Sequence, residues 1–204
     1  MKVGVFGGTF DPIHIGHLIV AQEASLLLDL DELLFIPAGQ PWLKSGTDLT
    51  EAHHRFAMVE LAIAPHEKFR ASDMEIRRTG PTYTVDTLIE LRDQLGSDAE
   101  IYMILGLDSL RELGRWYQPE RMFDLATLVG ISRPGHQDFD PRTLDTVIEG
   151  ASEKIVLLEG PRISISGTEI RQRVSDDLPI KFWVPEAVEK YIRTHHLYRS
   201  HLIR

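Results

Sequence analysis

Two histidines three residues apart, His14 and His17, flank Gly16 directly after the glycine-rich run Gly7-Gly8-Thr9-Phe10-Asp11-Pro12-Ile13. Spacing of three near a helix start puts both imidazoles on one side. Glycines let backbone approach a ligand closely, and a helix N-terminus favours phosphate through its N–H groups and dipole. Two imidazole donors facing one phosphate can stabilise the charge that builds on a phosphoryl group in transfer. Gly16 removes a side chain that would block that approach. Neither GxGxxG nor GxxxxGK[ST] occurs, so this is neither a dinucleotide fingerprint nor a Walker loop. Taken alone, the pair also reads as a metal pair without an evident third ligand, or as two surface histidines.

A second cluster of polar residues runs Ser166-Gly167-Thr168-Glu169-Ile170-Arg171. Ser166 and Glu169 have capping-box spacing, which is a structural reading; a capped helix start is also an anion site. Lys44 lies in a loop with two prolines and two glycines, where a solvated lysine is the ordinary expectation. Tyr83 and Trp116 read as core aromatics or as faces on which a planar ring can stack. Asp108 follows a strand and reads as a helix cap.

The elements that must hold these residues alternate. Apolar runs at Val3–Phe6, Leu33–Ile36, Glu100–Leu105, Thr127–Ser132 and Lys154–Leu158 predict buried strands, with one or two more within Lys68–Ile76. Helical spacing covers His17–Leu28, a stretch from an N-cap at Thr50 to about Ala64, a segment capped by Thr84, and two short helices near Thr168–Val174 and Pro185–Thr194. Such alternation predicts an α/β protein with a parallel sheet and right-handed crossovers. Gly7–His17, Gln40–Lys44, Gly106–Asp108, Arg133–Gly135 and Ser164–Arg171 all fall just after predicted strands, where ligands bind in such sheets. Residues 1–204 read as a single domain in which about 160–204 form a small helical part.

The 204 residues carry a net charge of −9 at pH 7, with 22 Lys and Arg against 31 Asp and Glu. A broad nucleic-acid surface is not expected from that balance. There is no cysteine, which excludes disulfides, thiolate catalysis and Cys-based zinc sites. The N-terminus lacks the pattern of a signal peptide, and no apolar run approaches the roughly 20 residues needed to span a bilayer. The expectation is a cytoplasmic protein without membrane partners; a homo-oligomer is compatible with the sequence.

Gly7 to His17 resembles the nucleotidyltransferase family that carries an H-x-G-H motif. Gly80-Pro81-Thr82-Tyr83-Thr84-Val85-Asp86-Thr87-Leu88 is similar to the Tyr-Thr-x-Asp-Thr-Leu segment of its nicotinate-mononucleotide adenylyltransferase branch. The resemblance implies a Rossmann-like, doubly wound sheet. It also implies adenylyl transfer from ATP to nicotinate mononucleotide, with Mg2+ bound through the ATP phosphates. On the same ground His14, His17, Lys44 and Arg171 would act on the phosphates. ATP would touch Gly7, Gly8, Thr9, Phe10, Gly16, Gly106, Asp108 (at the ribose), Arg133, Ser166 and Thr168. Tyr83, Thr84 and Trp116 would hold the nicotinate mononucleotide. Two departures stand out: Pro41-Trp42-Leu43-Lys44 lacks the family's usual Pro-His before the lysine, and Gly167 stands where serine is frequent. Phosphopantetheine adenylyltransferases, cytidylyltransferases and a non-catalytic nucleotide sensor are the alternatives. A tRNA-synthetase fragment shares His14-Ile15-Gly16-His17 but would need a Lys-Met-Ser-Lys-Ser loop that is absent.

Overall fold

A computed structural model describes residues 1–41, 49–132, 139–160 and 163–199. Six strands form one sheet: β1 (Lys2–Gly8), β2 (Glu32–Pro37), β3 (Phe69–Ala71), β4 (Glu100–Gly106), β5 (Thr127–Ile131) and β6 (Ile155–Leu158). Their order is β3-β2-β1-β4-β5-β6 and every pairing is parallel. This is the doubly wound Rossmann order, in which the chain reverses direction across the sheet between β1 and β4. Helices α1 (Ile15–Leu27), α2 (Ala52–Ile63), α3 (Thr84–Leu95), α4 (Leu107–Arg111), α5 (Pro119–Leu125), α6 (Gly167–Ser175) and α7 (Glu186–Thr194) connect and flank the strands.

Strands buried on both faces need apolar residues at successive positions, and β1 supplies Val3, Val5 and Phe6. Successive side chains point to opposite faces. Phe6 therefore joins one core with Val20, Phe35, Met58 and Val188, and Val5 joins the other with Leu88, Met103, Leu107 and Met122. Ile170, Ile180, Val184, Val188 and Ile192 pack in the first core beside residues of α1 and α2. The C-terminal helices thus share the sheet's own core.

The structure corrects several local expectations. Glu51, not Thr50, occupies the N-cap of α2, and Tyr83, not Thr84, that of α3; neither side chain makes a capping bond. Of the one or two strands expected within Lys68–Ile76, the structure forms one, the three-residue β3. α1 begins at Ile15, two residues early, because His14 caps it. The short α4 and α5 lack a full amphipathic period and were not foreseen. No described helix is long and apolar enough to cross a membrane.

Phe35 lies at the centre of an aromatic group, with ring centroids 5.6 Å from Phe6, 5.8 Å from Phe10 and 5.3 Å from Phe69. Its side chain is fully buried. Phe35→Ala should lower the unfolding free energy by about 3–5 kcal/mol through lost transfer energy and the cavity left behind. Urea denaturation of the two proteins measures it.

Candidate active site

The carboxyl end of β1 delivers Gly7 and Gly8 beside β2, where Gly8 pairs with Pro37 and its carbonyl accepts the Ala38 N–H at 2.8 Å. The chain then turns through Thr9 to His14 and enters α1. Phe10 takes a left-handed backbone (φ 49°), a costly conformation for a non-glycine residue. Its ring is buried against Phe6, Phe35 and His17, the last with centroids 5.1 Å apart, edge to face. The Phe10 side chain therefore supports the loop from below; only its backbone is left to meet a ligand.

His14 and His17 cap α1 reciprocally. The His17 N–H donates to His14 Nδ1 and the His14 N–H donates to His17 Nδ1, each at 3.3 Å. The rings stack with centroids 3.6 Å apart and planes 20° apart. With both Nδ1 atoms accepting, the neutral rings carry their protons on Nε2. Gly16 allows this stacking, because a Cβ there would lie 3.1 Å from His14 Nδ1 and 3.2 Å from its Cε1. The first turn is less open than a bare helix end. The Ile15 N–H is taken by the Trp183 carbonyl at 2.9 Å and that of His17 by His14.

α6 closes the loop from the other side. Ser166 caps it, accepting from the Glu169 N–H at 3.2 Å. Arg171 donates to the Asp11 carbonyl at 2.6 Å and to Thr168 Oγ1 at 3.3 Å. A Cβ on Gly167 would sit 2.7 Å from the Asp11 carbonyl oxygen. The absence of serine at this position follows from that close approach. Asp11 is buried; Oδ1 accepts from Tyr198 O–H at 2.7 Å and Oδ2 from the Thr50 N–H at 3.3 Å. Burial and the neighbouring Asp11 carboxylate push the Tyr198 phenol well above its ordinary range. Lys44 and Arg133 lie outside the described residues.

A cavity of about 210 Å³ opens beside the loop, at the point where the sheet reverses. Gly7 and Gly8 line it from β1, Thr9 from the turn after it, Leu105 from β4, Tyr83 and Thr84 from the start of α3, and Trp116 from beyond α4. It is small beside the roughly 300–1,000 Å³ of drug-sized sites and suits a planar ring with its substituent. Tyr83 packs on Tyr117 with centroids 4.6 Å apart. The Trp116 indole N–H is buried without a hydrogen-bond partner among the described residues. Gly106 caps α4, and Asp108 in that helix is exposed and paired with Arg111 at 3.0 Å. Among the described residues no group of three or more His, Asp or Glu side chains is placed to hold a metal ion.

Residues 5–173 match the family model described as cytidylyltransferase-like. The chain belongs to that family. It is 46% identical over 197 residues to a protein of Roseiflexus sp. (strain RS-1) named "Probable nicotinate-nucleotide adenylyltransferase", covering 97% of this chain and 98% of that one. A protein of the same name from Dehalococcoides mccartyi (strain CBDB1) is 43% identical over 198 residues, with 97% of each covered. Among solved structures, the nicotinic acid mononucleotide adenylyltransferase of Plasmodium falciparum, complexed with NaAD, superposes with a TM-score of 0.76 over 97% of each chain. At 23% identity that likeness concerns the fold.

Two buried charges of this family member were not singled out from the sequence. Arg55 lies on the inward stripe of α2 with Met58, Val59 and Ala62, and a charge at an apolar-stripe position is the signal that marks it. Glu75 lines the cavity and is buried, its Oε1 accepting from the Thr87 hydroxyl at 2.8 Å. His54 is half-buried and shares a 2.9 Å hydrogen bond with Tyr191 of α7.

Burial raises the Glu75 carboxyl above the ordinary glutamate range, and hydrogen bonds and Arg78 only partly oppose it. An acid whose folded pKa is raised binds protons more readily folded than unfolded, so its ionisation opposes folding as pH climbs past the unfolded value of about 4.3. The stability of Glu75→Gln relative to the native chain should therefore be more favourable at pH 7 than at pH 4. Urea unfolding of both proteins at the two pH values checks the sign.

Proposed function

We propose that the chain transfers the adenylyl group of ATP to nicotinate mononucleotide, giving nicotinate adenine dinucleotide and pyrophosphate, a step in NAD biosynthesis. The observation that carries this reading is the adjacency of the histidine-capped loop and the ring-sized cavity: Gly7, Gly8 and Thr9 belong to both. The names and near-complete coverage of the relatives support it.

The pyridine ring enters the cavity beside Trp116 and Tyr83. An aromatic face stacks on it, and the α3 amides near Thr84 receive its carboxylate. An oxygen of the mononucleotide phosphate attacks the α-phosphorus of ATP. That P–O bond forms as the bond to the β-phosphate oxygen breaks, and the electron pair leaves with pyrophosphate. The attacking oxygen is already anionic near neutral pH, so no general base is required. Catalysis consists of positioning and charge stabilisation. His14 and His17 donate from Nε2 to the phosphates, with Arg171, Lys44, Ser166 and Thr168 as further donors. Gly16 leaves room for the His14 ring, and Gly106, Asp108 and Arg133 serve the nucleoside end. The donor set fits magnesium held through phosphate, since the loop presents imidazole and backbone donors and its own carboxylate, Asp11, is engaged by Thr50 and Tyr198. Bound in that way, magnesium would offset charge on the phosphates and on the departing pyrophosphate. A cytoplasmic location accords with a cysteine-free chain.

Pyrophosphate release, assayed with ATP or CTP against nicotinate mononucleotide, nicotinamide mononucleotide and phosphopantetheine, tests the reaction. The proposal expects ATP with nicotinate mononucleotide to be fastest; a preference for any other pair overturns it. His17→Ala should lower kcat about 10²–10³-fold, the typical loss of one preorganised donor, with the far-ultraviolet circular dichroism unchanged. Undiminished turnover in that variant removes the role given to His17.

A further inference from the structure

The buried Arg55 is spent entirely on backbone carbonyls. Nε donates to Thr50 at 2.8 Å, one terminal nitrogen to Thr9 at 2.7 Å, and the other to Ala38 at 2.7 Å and Gly39 at 3.3 Å. Thr9 belongs to the first loop. Ala38 and Gly39 follow β2, and Thr50 precedes α2, so one side chain joins three separate stretches of the chain.

The stretch held by Arg55 is itself docked on the wall of the cavity. A Cβ on Gly39 would lie 2.2 Å from the Glu75 carbonyl oxygen and 2.9 Å from its carbon. Only glycine permits that backbone-to-backbone approach. Next to it the Thr82 N–H donates to the Gln40 carbonyl at 3.1 Å, and Pro41 bridges to Thr82. Glu75 and Thr82 both line the cavity. A continuous strut therefore runs from the first loop through Arg55 and residues 38–41 to the far wall.

We infer that this strut sets the distance between the two halves of the site, which makes Arg55 a positioning residue for the transfer. The inference rests on the reaction proposed above. Stability alone is a poor reason to keep such a residue. Burying a guanidinium is costly, and apolar replacement of buried charged groups is often neutral or stabilising. What an apolar side chain cannot do is hold four carbonyls in three segments with one rigid fork. Reaction geometry is sensitive at this scale, since a displacement of about 1 Å can cost 10²-fold in rate.

Arg55→Lys retains the charge and loses the fork, and Gly39→Ala drives the strut off Glu75. Each is assayed for kcat and for both KM values, with circular dichroism as the folding check. The expected pattern is a loss of about 10–100-fold in kcat with each KM within about 3-fold. Unchanged kcat in a folded variant, or a loss carried by KM alone, overturns the inference. If neither variant folds, hydrogen exchange in the native chain decides it. The Ala38 and Thr82 amides should be protected without substrates and unchanged when they bind; protection that arises only on binding overturns a preset strut. A native chain inactive toward nicotinate mononucleotide would refute the reaction while leaving the exchange result to stand by itself.

Discussion

At the first turn of α1, two imidazoles each accept the other's backbone N–H, and the site depends on that exchange. Helix starts leave N–H groups unsatisfied, and serine, threonine or aspartate commonly supplies the acceptor. Histidine in that place does the same work while orienting a ring. Once Nδ1 accepts, the ring is fixed in direction and the remaining nitrogen becomes a donor. In the reaction proposed above, a structural requirement of the helix and a chemical requirement of phosphate transfer would be met by the same two residues. Gly16 beneath His14, and Phe6 and Phe10 edge-on to His17, belong to this arrangement.

Around it the fold supplies place rather than chemistry. A parallel sheet that reverses between β1 and β4 leaves a crevice at its carboxyl edge, and the cavity lies there. The order β3-β2-β1-β4-β5-β6 brings a loop from residue 9, a helix start from residue 84 and an indole from residue 116 to one opening. Helix α6 reaches back to the same loop through Arg171 and the bare Cα of Gly167.

The strands were legible because doubly buried β-strands are short unbroken apolar runs, and β1, β2, β4 and β5 each show one; β6 shows the run too, but it lies at the sheet edge with Val156 and Leu157 exposed, so its expected burial was wrong. The motif residues were legible because glycine pairs, a histidine pair and a Ser-x-x-Glu cap are local patterns. Asp11, Glu75 and Tyr198 were not, since their partners lie 39 and 187, 12, and 187 residues away respectively. A carboxylate that accepts from a distant hydroxyl looks, in one dimension, like any surface carboxylate. Arg55 is intermediate: its place on the apolar stripe of α2 is a signal present in the sequence but not picked out there, and what it holds is not in the sequence pattern at all. The caps at Glu51 and Tyr83 were misplaced by one residue because Thr50 and Thr84 have the preferred side chains, while tertiary contacts decided where each helix begins.

The central claim is that one continuous opening holds both halves of a dinucleotide, pyridine in the cavity and phosphate at the paired histidines. A crystal structure with nicotinate adenine dinucleotide tests it directly. The account predicts the pyridine ring against Trp116 and Tyr83 and a phosphate oxygen within about 3 Å of His14 or His17 Nε2, a normal hydrogen-bond distance. A pyridine ring lodged elsewhere, with the histidines out of contact with either phosphate, would contradict it.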